Sequence, residues 1–286
     1  ELVLLRYNLT ERVPLPEIVI FLYKLFSIGR FHHFQKYILI VVSKNTIKRI
    51  TSLGQKKYRQ REGVFVAEGI KVVNELLLSS LELVELHTED VSAFAKALSP
   101  QDQSKVNEAT PAELKKLTFL KTAQKAVATF KMPEAIAIDR SGLTVVLDDV
   151  RDPGNLGTII RLCDWFGIKQ LVCSKATVDC YNPKVVQATM GSLTRVDIIY
   201  TDIDTYLSNE DRTVFGTFMD GENIYAASLP QEGVIVMGNE ANGISTGIEQ
   251  LVTKRVAIPR FGITQATESL NVATATAICL SEFKRG

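Results

Sequence analysis

Residues 143–167, LTVVLDDVRDPGNLGTIIRLCDWFG, determine the fold class of this 286-residue chain. The run Leu143–Leu147 is apolar apart from Thr144, which is typical of a strand buried on both faces of a parallel sheet. Polar and turn-forming residues occupy positions 148–157. Apolar side chains then recur at helical spacing, at Ile159, Leu162, Cys163 and Phe166. The stretch therefore predicts a strand, a turn and a helix of an α/β fold, with Gly167 ending the helix.

The predicted helix has a second face, which carries Thr158, Arg161 and Trp165. Open α/β folds bind ligands at the carboxyl edge of their parallel sheet, and this helix begins at that edge. Arg161 is therefore a candidate ligand contact. The alternative is an arginine that is only exposed to solvent, which is the usual position for this residue.

Two further apolar stretches run into turns of similar character. Residues 234–237 (VIVM) lead into Gly238 and Glu240. Residues 256–258 (VAI) lead into a loop and then into the helix start at 268–271 (ESLN). The serine and the asparagine of that helix start stand where caps belong, so capping is an equal interpretation of both. If all three strands are parallel, their turns lie at one edge of the sheet.

Composition and charge limit the classes of function. Hydrophobic residues make up 46% of the chain and charged residues 23%, which excludes wholesale disorder, collagen-like repetition and multi-span membrane insertion. The 33 Lys and Arg nearly balance the 32 Asp and Glu, so a nucleic-acid partner requires a local basic patch.

Cysteine and histidine usage disfavours metal chemistry. The four cysteines lack the close pairs of a zinc site and the density of a secreted disulfide scaffold, and the three histidines do not cluster with carboxylates. We therefore expect no metal site, no histidine-based triad, packed reduced thiols and a cytoplasmic protein.

A local basic patch begins at residue 44. Its cations are Lys44, Lys48, Arg49, Lys56, Lys57, Arg59 and Arg61. A single acid, Glu62, opposes them. Phosphate backbones attract such a cluster, and an aromatic ring within it can stack on an unpaired base. We predict RNA contact through Lys56, Lys57, Tyr58, Arg59 and Arg61. The alternative is a solvated helix face.

Strand and helix patterns alternate between residues 64 and 130. They predict strands at 64–67, 83–86 and 126–130, and helices at 70–78, at 93–98 and from a capping box that starts at Thr110. Turn-forming residues follow. We therefore expect three parts: a smaller α/β RNA-binding domain at 42–135, a linker at 136–142 and a second domain at 143–286.

The first 41 residues differ from the rest of the chain. Residues 18–42 are apolar enough to suggest a membrane segment, but cations such as Lys24 and Arg30 interrupt them. Each buried cation costs roughly 2.5–3.5 kcal/mol at a bilayer centre, so we expect no membrane span. We interpret residues 1–41 as an extension introduced by cloning or by gene prediction, with a surface helix as the alternative.

Three motifs, in this order, resemble those of the SpoU (TrmH) branch of the SPOUT RNA 2′-O-ribose methyltransferases. They are residues 155–167, the turn at 237–240 (MGNE), and Ile258-Pro259 followed by residues 268–273 (ESLNVA). The basic stretch and the segment 65–69 (FVAEG) are similar to the substrate-binding domain of many rRNA-modifying members. The resemblance covers residues 42–284, so residues 1–41 are expected to be a non-family extension.

The resemblance implies a SPOUT-type C-terminal domain with a parallel sheet and a C-terminal trefoil knot, in which the loop after Ile258 passes beneath the turns at Thr217 and Gly238. It also implies S-adenosylmethionine as cofactor and a homodimer with active sites at the subunit interface. The implied cofactor contacts are Thr217, Met237, Gly238, Ile258 and Leu270. The implied reaction site is formed by Asn155, Arg161, Glu240, Ser269 and Asn271.

From the resemblance we expect 2′-O-methylation of a ribose in structured RNA, with 23S (large-subunit) rRNA favoured because a separate N-terminal domain is present. The alternatives are a tRNA 2′-O-methyltransferase and a non-catalytic RNA-binding ribosome-assembly factor. A guanidinium stays protonated, so we assign Arg161 to an RNA phosphate rather than to proton abstraction. Glu240 is assigned to orienting the loop or the ribose.

Overall fold

The computed structural model describes residues 42–264 and 269–285, which contain two sheets. Our interpretation of residues 1–41 therefore lies outside the described residues. The first sheet has four strands in the order β1-β4-β2-β3, in which only β2 and β3 are parallel. Its strands are β1 (Val64–Glu68), β2 (Leu83–Thr88), β3 (Val106–Glu108) and β4 (Ala126–Lys131).

Helices cover both faces of the first sheet. They are α1 (Lys44–Ser52), α2 (Lys56–Glu62), α3 (Ile70–Leu77) and α4 (Pro111–Leu117). Because successive side chains of a strand point to opposite faces, Val64 and Val66 pack with residues of α1 and α4, whereas Phe65 packs with residues of α3. The capping box at Thr110 is confirmed. The prediction of a helix at 93–98 is wrong. The structure has a 3-10 helix at Val91–Phe94 instead, and this segment is too short for an α-helix.

The second sheet confirms the predicted parallel arrangement. Its six strands lie in the order β10-β8-β9-β5-β6-β7, and every neighbouring pair is parallel. The strands are β5 (Leu143–Leu147), β6 (Gln170–Ser174), β7 (Asp197–Thr201), β8 (Val214–Asn223), β9 (Gly233–Met237) and β10 (Lys254–Ala257). The helices are α5 (Pro153–Trp165), α6 (Pro183–Thr189), α7 (Ile203–Ser208), α8 (Thr246–Glu249) and α9 (Val272–Arg285).

Helix α5 has the two faces that its sequence predicts. Ile159 and Cys163 are fully buried, whereas the Trp165 side chain is 83% exposed. The helix packs against α6 and α9 on one face of the second sheet. All four cysteines are buried and unpaired, and burial raises the pKa of the Cys163 thiol to about 12. No helix within the described ranges is long and apolar enough to cross a membrane.

A buried ion pair joins the two sheets and overturns one sequence prediction. Arg59 was predicted to contact RNA, but it is only 2% exposed. Its Nη2 lies 2.5 Å from Asp179 Oδ2, and its Nη1 donates to the Leu53 carbonyl at 2.7 Å. Nearby, the rings of Phe65 and Tyr181 lie 4.8 Å apart. Arg59 is therefore a structural residue that docks α2 onto the second sheet.

The segment before β5 is fixed by a second charge cluster. The Glu210 side chain is 1% exposed and accepts hydrogen bonds from both Arg140 and Arg212. Arg212 also donates to the Gly142 carbonyl at 2.8 Å. Burial raises the pKa of Glu210, but the hydrogen bonds and charges of Arg212 and Arg140 outweigh it and lower the pKa to about 2. The domain boundaries at 135 and 143 stay a prediction.

We expect Glu210→Gln to lower the free energy of unfolding at pH 7 by about 1–2 kcal/mol, after allowance for solvent around Arg140. The folded-state pKa lies below the ordinary value of 4.5. The contribution is therefore complete above pH 4.5 and lost as the pH falls towards 2. Urea unfolding at pH 7, 4.5 and 3 measures this difference, with exposed Glu232→Gln as control. An equal difference at pH 7 and pH 3 would contradict it.

Candidate active site

The carboxyl ends of β5 and β9 lie side by side, next to the point where the pairing of β8 with β9 ends. Val236 on β9 is paired with Gly216 on β8 and with Val146 on β5. At the end of the ladder, the amide of Asp148 donates to the Met237 carbonyl at 2.9 Å. The turns that follow β5 and β9 therefore meet at one edge of the sheet, as their motifs predict. The third motif strand, β10, is parallel to them but is separated from β9 by β8.

A chain of side-chain hydrogen bonds joins the three motifs. Asn271, at the start of α9, donates from Nδ2 to Asn155 Oδ1 at 2.8 Å. Asn155, in the first turn of α5, donates from Nδ2 to Glu240 Oε1 at 2.7 Å. Asn271 and Asn155 are 116 positions apart in sequence, and Asn155 and Glu240 are 85 positions apart, yet the two side chains of each pair are in direct contact. We call these three side chains the amide relay.

The direction of the amide relay is set by backbone groups. Asn271 Oδ1 accepts from the amides of Ala273 at 3.0 Å and Thr274 at 3.2 Å, so its Nδ2 points to Asn155. The capping interpretation of Asn271 is therefore correct, and it is compatible with a role in the site. Glu240 receives one hydrogen bond at Oε1, and no other group in the described part of the chain bonds to this carboxylate. Oε2 is available to a substrate.

Asn239 positions the loop that carries Glu240, and sequence reasoning missed it. Its Nδ2 donates to the Asp149 carbonyl at 2.7 Å, and its Oδ1 accepts from the amides of Ala241 and Asn242. Two backbone hydrogen bonds of 2.9 Å link Asn239 to Gly243. The signal was present, because asparagine directly after a strand commonly bonds the backbone of its own turn.

Gly238 is required by this loop itself. A Cβ at position 238 would lie 2.2 Å from the carbonyl carbon of Gly243 and 2.4 Å from the amide nitrogen of Ile244. The observed reason is the close return of residues 243 and 244, which leaves no room for a side chain.

Of the predicted cofactor residues, Thr217 lies within β8, Met237 ends β9, Gly238 and Ile258 directly follow β9 and β10, and Leu270 precedes α9. The turn expected at Thr217 is therefore part of a strand. Thr217 Oγ1 donates to the Val236 carbonyl at 3.1 Å. Met237 is buried in the hydrophobic core, Ile258 is half-buried and packs against that core, and Leu270 is 48% exposed. These groups are neutral, and the nearest charge on the adjoining loop is the anion Glu240. Neutral, mostly apolar groups with a carboxylate on the adjoining loop suit a cationic sulfonium with an adenosine moiety, and cofactor binding by these residues stays a prediction.

Two of the predicted catalytic residues are not part of the amide relay. Ser269 is exposed and makes no bond within residues 42–264 and 269–285. Arg161 lies about 9 Å further along α5 than Asn155, and about 240° around its axis. It is exposed and lines a groove with Lys71 and Trp165. The structure therefore unites three of the five predicted catalytic side chains.

The basic patch has an aromatic centre. Lys57 Nζ and Arg61 Cζ lie 4.8 Å and 4.9 Å from the centroid of the Tyr58 ring. Tyr58 and Arg61 also line a groove of about 420 Å³ with Lys48. Lys56 is 5.7 Å from the Tyr200 ring centroid. RNA contact through Lys56, Lys57, Tyr58 and Arg61 stays a prediction.

Comparisons with known proteins agree with the motifs. Residues 142–281 match the SpoU rRNA Methylase family, and residues 44–128 match the MRM3-like substrate binding domain. The chain is 29% identical over 244 residues to "23S rRNA (guanosine(2553)-2'-O)-methyltransferase RlmP" of Bacillus subtilis, covering 83% of this chain and 95% of that protein.

Two solved structures are similar along most of the chain. A putative RNA methyltransferase of the TrmH family from Porphyromonas gingivalis has a TM-score of 0.77 and 37% identity, covering 85% of this chain and 98% of that one. An AdoMet-bound rRNA methyltransferase from Sinorhizobium meliloti has a TM-score of 0.73 and 29% identity, covering 85% and 95%.

We expect Asn239→Ala to lower the free energy of unfolding by about 2–3 kcal/mol, because it removes three hydrogen bonds worth roughly 0.5–1.5 kcal/mol each. Asn242→Ala, in the same loop, is the matched control. Asn242 is exposed and its side chain makes no bond within the described ranges, so its replacement should change stability by less than about 0.5 kcal/mol. Urea unfolding compares the two, and equal losses would contradict the anchoring role of Asn239.

Proposed function

The chain belongs to the SpoU (TrmH) family of RNA methyltransferases, and on that basis we propose that it transfers a methyl group from S-adenosylmethionine to a ribose 2′-hydroxyl of rRNA. The amide relay carries this proposal, because it brings Asn155, Glu240 and Asn271 of three separate motifs to one edge of the sheet. Large-subunit rRNA is the favoured substrate, since the Bacillus subtilis relative is named for 23S rRNA and is covered over 95% of its length. A cytoplasmic location stays a prediction.

The proposed reaction needs alignment of two reactants and removal of the hydroxyl proton, which a phosphate oxygen of the RNA or a water molecule accepts. Bound S-adenosylmethionine supplies an activated methyl group. Thr217 of β8, Met237 and Gly238 at the end of β9, Ile258 after β10 and Leu270 before α9 would hold the cofactor. Alignment of bound reactants accounts for roughly 7–11 kcal/mol of a barrier, more than a general base usually contributes. Positioning by the rigid sheet edge is therefore the main catalytic contribution of this chain.

Glu240 is proposed to orient the ribose. The amide relay holds Oε1 through Asn155, which leaves Oε2 to accept a hydrogen bond from a sugar hydroxyl. Arg161 is proposed to bind the RNA phosphate next to that ribose and to stabilise the forming alkoxide. Its place on another face of α5 suits contact with the RNA backbone rather than with the relay.

We also propose the trefoil knot. The pairing of β8 with β10 supports it, because Arg255 is opposite Gly216 while the next residue, Val256, is opposite Glu222. Five residues of β8, at positions 217–221, thus lie between the pairing partners of two adjacent residues of β10. At Gly221 the backbones come so close that a Cβ would lie 2.5 Å from the carbonyl carbon of Val256. Such close passage is what a loop threaded after Ile258 requires.

The homodimer is proposed from an exposed apolar rim beside the cofactor residues. The rim consists of Met219, Tyr225, Phe261, Ile263 and Leu270. The Tyr225 and Phe261 rings lie 6.4 Å apart, and Arg260 contacts the Met219 sulfur. Contiguous exposed apolar surface marks interaction sites, and a second copy covering this rim would place the active site at the subunit interface.

The decisive test of the proposed function is ribose-methylation mapping in RNA from cells with and without the gene, followed by methyl transfer to that RNA in vitro. Arg161→Ala should lower kcat by about 10²–10³-fold, as for loss of a group that stabilises a developing oxyanion. Arg161→Lys should lose activity too, because an ammonium cannot bind a phosphate in bidentate fashion. Exposed Arg285→Lys is the control. Near-normal turnover by Arg161→Lys would exclude bidentate binding.

Glu240→Gln should keep kcat within about tenfold of the unsubstituted protein, because the glutamine oxygen still accepts the hydrogen bond from Asn155 and its amide nitrogen can donate to the oxygen of the same sugar hydroxyl. A proton acceptor contributes about 10²–10⁴-fold, so a loss of that size with intact S-adenosylmethionine binding would assign Glu240 as the base. Cofactor binding without methyl transfer to any RNA fraction would instead favour a non-catalytic assembly factor. Methylation found only in tRNA would favour the tRNA alternative.

A further inference from the structure

A groove of about 670 Å³ lies between α3 on the first sheet and α5 on the second. Lys71 and Glu75 of α3 form one wall, and Arg161 and Trp165 of α5 form the other. Met190 contributes to its lining. The volume is within the range of roughly 300–1,000 Å³ that is usual for ligand sites. The proposed function uses only Arg161 from this groove.

The charges in the groove leave two cations available. Arg195 joins the walls by bonding Glu75 at 3.0 Å and Asp164 at 2.9 Å, so both acids have a cationic partner. Lys71 and Arg161 form no ion pair within the described ranges. The same Arg195 contacts hold α3 against α5, so the groove is formed before any ligand arrives.

Trp165 supplies a large exposed ring beside these cations. It is the only tryptophan in the chain, and its side chain is 83% exposed. The neighbouring Arg195, Lys71 and Arg161 make the surroundings polar, which does not suit burial of an apolar protein segment. Exposed aromatic rings next to unpaired cations are the usual means of binding single-stranded RNA, because every base can stack and every linkage carries a charge.

We propose that this groove binds unpaired nucleotides adjacent to the methylated ribose, with Trp165 stacking on a base and Lys71 binding a backbone phosphate. The inference rests on the proposed function, which supplies RNA as substrate and places Arg161 on a phosphate. One strand of RNA then contacts both α3 and α5. The distance between these two contacts selects the conformation that the RNA adopts beside the target ribose. Lys71 and Trp165 are thus positioning residues for the substrate.

The single tryptophan makes the test specific. The full chain is titrated with oligo-uridine of about ten nucleotides, while Trp165 fluorescence and the anisotropy of end-labelled RNA are recorded together. We expect saturable quenching that follows the anisotropy. Trp165→Ala should weaken RNA binding by ~5- to 150-fold, as expected for loss of one stacked base. Lys71→Ala should weaken binding and reduce the slope of log affinity against log salt by about 0.7. Exposed Lys96→Ala, outside the groove, should change neither quantity.

RNA binding that leaves Trp165 fluorescence unchanged would overturn the proposal. A second result would also overturn the proposal. If Trp165 in the RNA-free protein is shielded from quenching by acrylamide, and this shielding disappears on dilution, a second copy of the chain covers the groove. The proposed function can fail independently of the groove. If RNA quenches Trp165 fluorescence and the Lys71 and Trp165 variants weaken binding as expected, but no methyl group is transferred, the RNA-binding role of the groove is supported and the methyltransferase activity is contradicted. Methyl transfer with unchanged affinity in both variants supports the enzyme and contradicts the groove.

Discussion

The hydrogen bonds from Asn271 to Asn155 and from Asn155 to Glu240 are the constraint on which the site depends. Each amide has a donor end and an acceptor end, so the backbone amides of Ala273 and Thr274 fix the direction of the whole relay. Among the residues that the structure describes, the last carboxylate receives one hydrogen bond, and we propose that its other oxygen contacts the substrate. The relay therefore links the fold of α9 to the orientation of the group that we propose to contact the ribose.

The second constraint is the rigid contact between the two sheets. Arg59 and Asp179 pair in a buried position, and Arg195 joins Glu75 to Asp164 at the surface. Removing one partner of a buried pair is costly because it leaves a charge without compensation. These contacts hold the basic patch and the groove at α5, the two surfaces that we propose to bind RNA, in one fixed arrangement.

Local patterns predicted the elements well where a periodic apolar face exists. The strand Leu143–Leu147, the two faces of α5 and the capping box at Thr110 follow from neighbouring residues and are confirmed. The prediction at 93–98 was wrong because a short stretch before Pro100 has too little periodicity to separate an α-helix from a 3-10 helix. Asn239 was missed because a turn residue shows its role only when its partner, Asp149, is in place.

The order of residues along this chain was enough to establish a parallel α/β sheet with three polar turns at its carboxyl edge, since strand patterns and turn chemistry are local properties. The sequence alone could not distinguish Arg59 from Arg61, because both are arginines in the same basic stretch. Arg59 is buried and paired with Asp179, whereas Arg61 is exposed beside Tyr58. Nor could the sequence show that Lys71 and Trp165 share one groove. Those distinctions depend on how the two sheets pack together, because burial and pairing are set by residues about a hundred positions away.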